Sequence, residues 1–385
     1  MSASPTPCAS NGERSKSGHH PGAADLQPKA LDGAPLSPHA KIGWLGKFAL
    51  SVCVTLLVIG IFEVTVRLYA HLTSQERLIM IDNLVGWRLA PNVRRQYDKE
   101  AQPYFIVTNS KGLRDAEHSY DKPQGVFRIV VIGDSFVFGA GGVDASNRFT
   151  ELLQRRSRHT EVINMGVPAY GTDQEYSYLA SEGIRYHPDL VILCAFYNDF
   201  KESFSTINPS NGRPKGYFSL DGDNLVFHPP SFSTFYKLSQ HSYLLGFADL
   251  ALSKISNAYH KGRSRQQVVP GARARIATFK QLYASTSDVC QNNGAAFVLV
   301  YFPFQGQNSK SIIQQVMDDL AATRNIRTLD LMDTMLHADA MRSTYFRQDI
   351  HFNEYGHQVV AEALLKYLEG NGLLPSTNTE SSSLH

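Results

Sequence analysis

The sequence predicts an α/β protein in which a central parallel sheet is covered by helices on both faces and preceded by one transmembrane helix. Three observations carry this. Apolar runs of strand length alternate with helical patterns through most of the 385 residues, as expected of a parallel sheet with both faces covered. A composition of 43% hydrophobic and 11% aromatic residues supplies material for a core. An uncharged apolar run at 48–62 precedes the alternation and reaches spanning length when 42–47 and 64–66 are added.

In chain order, residues 1–41 read as a disordered tail. Positions 1–40 lack Val, Ile, Phe, Tyr and Trp and hold six of the 18 prolines, so they cannot bury enough apolar surface to offset ordering entropy. Residues 42–67 form the expected membrane helix. A buried globular helix would show a polar face, which this run lacks; a cleaved signal peptide needs a short basic start and a small-x-small site, and neither is present. Glu63, near the end of the run, costs about 2.5–3.5 kcal/mol at mid-bilayer and less near an interface. Lys41 and Lys47 before the span and Arg67 and Arg77 after it leave the charge signal for orientation nearly balanced. Residues 68–125 form a linker and small subdomain with short β-like pieces such as YFIVTN and a turn at Ser110-Lys111-Gly112.

The main domain is expected over 126–370. Its strands are FRIVVI, EVINMG, DLVILCAFY, AAFVLVYF and IRTLDL. The helical patterns between them are FTELLQRR, DQEYSYLASEGI, IATFKQLYASTSDVC and KSIIQQVMDDLAAT, and a last helix carries an apolar stripe of Val360, Leu364, Tyr367 and Leu368. An excursion at about 201–267, rich in Pro, Gly, Asn and aromatics, interrupts the alternation; such segments shape substrate pockets or simply cover apolar surface. Residues 371–385 read as a flexible tail.

Composition also excludes functions. A formal net charge of +2, with no dense basic block, gives no support for a nucleic-acid partner. Cys8, Cys53, Cys194 and Cys290 have neither metal-ligand nor disulfide-framework spacing, so no metal is expected. GAGGVD at 139–144 has Asp144 where a dinucleotide loop needs its third glycine, and no cofactor is expected. Gly133-Asp134-Ser135-Phe136-Val137 lacks the second glycine of a G-x-S-x-G elbow.

The chemistry is sought at the carboxyl ends of the strands, where open parallel sheets gather ligands. FRIVVI runs directly into Gly133, Asp134 and Ser135, so the Ser135 hydroxyl begins the following turn at that edge. A serine nucleophile needs a base. His351, two residues after Asp349 and at the entrance to the last helix, supplies an imidazole with a carboxylate to orient it. Oxyanion donors are the third requirement: the side-chain amide of Asn198 after DLVILCAFY, and backbone N–H groups of NMGVPAYGT. Asp134 and Asp199 are expected to hold loops by hydrogen bonds, and His357 to cap or cover the last helix.

With these residues in place, the chain resembles the SGNH, or GDSL-type, hydrolases over about 127–368: GDS at 133–135, a second block at 164–172, YND at 197–199, and Asp349 with His351. Through TNSKGLRD (108–115) followed by RIVVIGDSFVFG, it resembles their membrane-anchored members. The resemblance implies a flavodoxin-like three-layer α/β/α sandwich and catalysis by Ser135, His351 and Asp349. The oxyanion hole would be formed by Ser135, Ala169 and Asn198. Ala169 stands where the family usually has glycine, with Gly166 and Gly171 as alternative donors, and the D-x-H spacing departs from the commoner D-x-x-H but occurs in alginate-acetylation relatives. The expected activity is serine-dependent ester hydrolysis of a small-molecule or saccharide ester, through an acyl-enzyme, by a domain anchored to the bilayer on the extracytoplasmic side. An O-acyltransferase acting on an envelope polysaccharide and a catalytically inactive scaffold stand as alternatives.

Overall fold

A computed structural model describes residues 43–98, 101–156, 159–259, 269 and 271–375. The tail expected at 1–41 and most of the one expected at 371–385 lie outside these residues. Helix α1, Trp44–Leu72, is the one helix among the described residues that is long and apolar enough to cross a membrane. It is two residues shorter at its start and five longer at its end than the run expected from sequence. Residues from Leu57 onward form one compact unit.

Two antiparallel hairpins occupy the segment expected as a small subdomain: β1 (Ile79–Asp82) with β2 (Gly86–Leu89), and β3 (Arg94–Tyr97) with β4 (Tyr104–Val107). The parallel sheet begins with β5 (Phe127–Gly133). After it come a single helical turn, α2 (Ser135–Phe138), then α3 (Phe149–Gln154), β6 (Thr160–Gly166), α4 (Thr172–Ser181), β7 (Leu190–Phe196) and the short α5 (Asp199–Glu202). The excursion contains an antiparallel hairpin, β8 (Tyr217–Asp221) and β9 (Asn224–His228), followed by α6 (Thr234–Ser239) and α7 (Tyr243–Tyr259). The α/β alternation then resumes with α8 (Ala272–Asn292), β10 (Ala296–Phe302), α9 (Ile312–Arg324), β11 (Arg327–Asp330), α10 (Met332–Met341) and α11 (Glu354–Gly370).

The five strands lie in the order β11-β10-β7-β5-β6, all parallel. In chain order this is 2-1-3-4-5 read from the other edge, the flavodoxin-like winding. The chain steps from β5 to one side for β6 and to the other for β7, so the strand order reverses beside β5. That reversal opens a crevice at the carboxyl end of β5, where Ser135 stands.

Period-two alternation divides each central strand between two cores. Val130, Ile132, Val191, Leu193, Leu299 and Tyr301 face one layer, with Leu179 of α4, Phe279 and Tyr283 of α8, and Leu320 of α9. Ile129, Val131, Leu190, Ile192, Val298 and Val300 face the other, with Phe149 of α3, Met335 of α10, and Val360, Leu364 and Leu368 of α11. These are the three layers the resemblance implied. Helix α10, which directly follows β11, was not distinguished from sequence, and the helix expected over 173–184 ends at Ser181 before a 3-10 turn at Gly183–Tyr186.

One close approach seats the Ser135 turn. A Cβ on Gly166, at the end of β6, would stand 2.2 Å from the backbone nitrogen of Phe138 and 2.6 Å from the carbonyl carbon of Val137. Only hydrogen fits there, so α2 lies directly on the strand backbone. Gly166→Ala is expected to lower stability by about 1–3 kcal/mol, the range for overpacking a tight interior. A denaturant midpoint equal to the parent's would show that α2 is not seated this way.

Candidate active site

Local structure first fixes the Ser135 turn. Asp134 caps α2, its Oδ1 accepting the Phe136 N–H at 2.9 Å, and Gly139 ends the turn with φ +78° in the left-handed region, its N–H returning to the Ser135 carbonyl. The carbonyls that follow are gathered by a buried guanidinium. Arg114 donates from Nη1 to Phe138 O at 2.9 Å and Gly139 O at 2.8 Å, and from Nη2 to Val143 O at 2.8 Å. Arg148, also buried, donates to the carbonyl of Arg114 at 2.7 Å. The TNSKGLRD segment is thereby tied to the nucleophile turn.

The same segment reaches the edge strand. Asp115 Oδ2 accepts the N–H of Asn164 on β6 at 2.7 Å, and the Asn164 amide donates to Val137 O at 2.7 Å. His118 lies between two carboxylates, 3.1 Å from Asp115 and 2.6 Å from Glu161. Burial alone would lower its pKa, but hydrogen bonds and charge from Asp115 and Glu161 outweigh it and hold the pKa above the ordinary value.

The histidine arrives on a loop organised by its own neighbours. Tyr345 donates its hydroxyl to Pro303 O at 2.8 Å, fastening the loop to the end of β10. Asn353 caps α11 through Gly356 N–H and donates to the carbonyls of Ser343 and Tyr345. Phe352 is fully buried, its ring 4.7 Å from Phe136 and 5.3 Å from Phe302, so the residue beside His351 is fixed in the core.

Ser135 and His351 meet. Nε2 of His351 is 2.7 Å from Ser135 Oγ, and its Nδ1 is hydrogen-bonded to Asp349 Oδ1. The two-residue spacing works because that one carboxylate oxygen also accepts the backbone N–H of His351, at 3.0 Å. The turn folds the carboxylate back onto the imidazole, and this hydrogen bond is the leading cause holding the Asp349 pKa below the ordinary carboxylate range.

The other expected residues flank the same edge. Ala169 has φ +65°, the left-handed conformation that glycine adopts without penalty, which is the conformational reason a glycine suits this position. In its loop the N–H groups of Gly166, Val167, Tyr170 and Gly171 are engaged by Asn164, Gly133, Val167 and Gln174, while among the described residues that of Ala169 has no partner. Its carbonyl accepts from Asn208 at 2.8 Å, so the start of the excursion braces this loop. Asn198 precedes α5, with Oδ1 buried and unpartnered.

Beneath the turn lies a group of buried acids, Asp134, Glu175 and Asp199, of which sequence reasoning missed Glu175. Asp199 accepts the Phe196 N–H at 2.9 Å, as expected for a loop-holding residue. Glu175 is fully buried with neither carboxyl oxygen hydrogen-bonded. Burial first, and then neighbouring carboxyls, push Glu175 and Asp199 well above the ordinary carboxylate range. Asp134 is raised by burial and drawn back by Phe136 N–H, His351 and Asn198. His357 is buried in α11, accepts the Phe149 N–H at 3.3 Å and is pushed down to about 3, by burial first and then by Arg148. Polar residues in helical patterns resemble a solvated face, which is why Glu175 gave no sequence signal. Among the described residues no group of three or more His, Cys, Asp and Glu is placed to hold a metal ion.

A family model, the GDSL-like lipase/acylhydrolase family, matches residues 131–359, from within β5 into α11 and through Ser135, Ala169, Asn198, Asp349 and His351. The chain belongs to the GDSL-like lipase/acylhydrolase family. Membership places it among ester-hydrolysing enzymes. A search of curated proteins found no match. Among solved structures, a lipase/acylhydrolase from Enterococcus faecalis is similar at 16% identity, covering 64% of this chain and 97% of its own, with a TM-score of 0.38. A lipolytic G-D-S-L family member from Veillonella parvula is similar at 12% identity, covering 63% and 99%, with a TM-score of 0.39. A catalytic mutant of an acetylxylan esterase from Geobacillus stearothermophilus is similar at 15% identity, covering 62% and 93%, with a TM-score of 0.36.

The His118 bridge gives this GDSL-like domain a pH signature. Because its folded pKa is raised, the stability it contributes is complete below the unfolded value of about 6.5 and is lost as pH rises through the folded value. His118→Gln is expected to lower the unfolding free energy more on the acid side of that window than on the alkaline side. A loss independent of pH, measured by denaturant titration, would remove the charged bridge.

Proposed function

We propose that the protein is a membrane-anchored serine ester hydrolase working through an acyl-enzyme. The observation that carries this reading is the 2.7 Å contact between Ser135 Oγ and His351 Nε2, with His351 Nδ1 on the Asp349 carboxylate. Ser135 attacks the ester carbonyl as His351 takes its proton; Asp349 fixes the imidazole tautomer and stabilises its charged form. The oxyanion is received by the N–H groups of Ser135 and Ala169 and by the Asn198 amide. His351 returns the proton to the leaving alcohol, then activates the water that releases the acid.

Helix α1 supplies the anchor. The catalytic domain is assigned to the extracytoplasmic side, as in the membrane-anchored proteins the sequence resembles, and its substrate is a small-molecule or saccharide ester. A second reading, transfer of the acyl group to a saccharide hydroxyl, is favoured by two exposed aromatics at the strand ends. Tyr197, next to Asn198, and Phe304, after β10, stand with ring centroids 5.3 Å apart and offer a surface on which a sugar ring can stack. An activated ester supplied with an oligosaccharide separates the readings: the hydrolase yields free acid, whereas acylated sugar as the main product would replace it with the transferase.

The serine is tested by a fluorophosphonate probe on detergent-solubilised protein. Labelling is expected in the parent and absent in Ser135→Ala, and labelling that survives the substitution would overturn the assignment. In the same preparation Asn198→Ala is expected to lower kcat by about 10²–10³ with little change in KM, as when one oxyanion donor is lost; unchanged turnover would remove Asn198 from the hole.

A further inference from the structure

Among the side chains of helix α7 that the structure describes, the exposed ones are all apolar. Phe247, Leu252 and Ile255 are 58%, 55% and 66% exposed, and Ala248 and Ala251 are exposed beside them. Positions 247, 251 and 255, with 248 and 252, repeat at helical spacing and lie on one side. Leu238 of α6, just before, is also exposed. A contiguous apolar face of this kind on a water-surrounded domain marks a contact surface.

The occupant is indicated by where α7 begins. The first backbone N–H groups of a helix have no partner within it, and here they are met by a side chain of α1. Glu63 accepts from Tyr243 N–H at 2.8 Å, Leu244 N–H at 3.1 Å and Ser242 Oγ at 2.9 Å, and is paired with Arg67 at 2.8 Å. Arg67 donates onward to the His241 carbonyl. Arg77 binds the carbonyls of Ser239, Gln240 and Ser242 and lies over the Tyr243 ring at 4.5 Å. The turn from α6 into α7 is therefore pinned to α1 at Glu63. An α-helix rises 1.5 Å per residue, so the stretch of α1 from Trp44 to Glu63 measures ~30 Å, the thickness of a hydrocarbon core. Glu63 and the start of α7 stand where such a span reaches the lipid–water interface, with two arginines at the same level.

We infer that α7 is an interfacial membrane helix, pinned at its start by Glu63 and lying in the lipid surface with Phe247, Leu252 and Ile255 in the acyl-chain boundary. This rests on the reading of α1 as a membrane anchor. The domain then contacts the bilayer along two elements, one crossing it and one lying in its plane. A single helix leaves a domain free to rotate and tilt; a second contact fixes which side of it faces the lipid.

The test uses the full chain in phosphatidylcholine vesicles, with Cys8→Ser and Cys53→Ser removing two cysteines, one of them exposed in α1, while Cys194 and Cys290 are buried. Single cysteines introduced as L252C, I255C, V58C and M341C carry an NBD fluorophore, and the vesicles carry lipid with a nitroxide on the acyl chain. Hydrolysis of a soluble ester at the parent's rate confirms that each variant is folded. Loss of most of the emission at 252 and 255, with 341 on α10 unquenched, is expected. Quenching at 58 with 252 and 255 as bright as 341 would overturn the interfacial helix and leave the anchor standing. Emission unquenched at 58 as well would overturn both.

Discussion

The hydrogen bond between Ser135 and His351 joins residues 216 positions apart in the chain, and the rest of the fold can be read as what holds its two ends still. Closing so long a loop has a large entropic cost, and a catalytic contact must be fixed within a fraction of an ångström. Each end is therefore braced by atoms that have no part in the chemistry. On the serine side, Gly166 lets α2 press onto β6, and Arg114 holds the carbonyls that follow. On the histidine side, Phe352 is locked among Phe136 and Phe302, and Tyr345 ties the loop to β10. Phe136, one residue after the serine, also stands 5.0 Å from the His351 ring, so one side chain braces both ends.

Charge is buried throughout this framework in three different states. Arg114, Arg128 and Arg148 are buried as cations whose forks meet carbonyls or carboxylates. Asp173 and Lys215 are fully buried as a pair. Glu175 and Asp199 are buried among other carboxyls, and burial first and those neighbours second raise both well above the ordinary carboxylate range. Asp349 is the carboxylate that is hydrogen-bonded to the His351 imidazole, and that bond is the leading cause holding its pKa below the ordinary carboxylate range.

The junction of α1 with α7 follows the same rule. Glu63 is an expense in an apolar helix only while its carboxylate lacks partners; Arg67, Ser242 and the first N–H groups of α7 supply them. The excursion that carries α7 thus has two attachments. Its beginning braces the Ala169 loop through Asn208, and its α6–α7 turn meets α1. The excursion thus touches the candidate site through its beginning and α1 through its α6–α7 turn.

The sequence by itself determined the strands, their parallel sheet and the candidate site residues that the fold brings together. Doubly buried strands must be apolar along their whole length, and a serine after a glycine, or a histidine near an aspartate, are choices of residue type visible in one dimension. Single-turn α2, helix α10 and the buried Glu175 left no such trace, since their identity lies in what surrounds them. Tertiary structure alone decided that β5 marks the reversal of strand order, that Asp349 reaches His351 across a two-residue turn, that Ala169 takes a left-handed backbone, and that Arg114 sits under the nucleophile turn. The first and last join segments far apart in the chain, and the Asp349–His351 turn and the Ala169 backbone are local geometries selected by the packing around them; the packing that fixes all four is not written in the order of neighbouring residues.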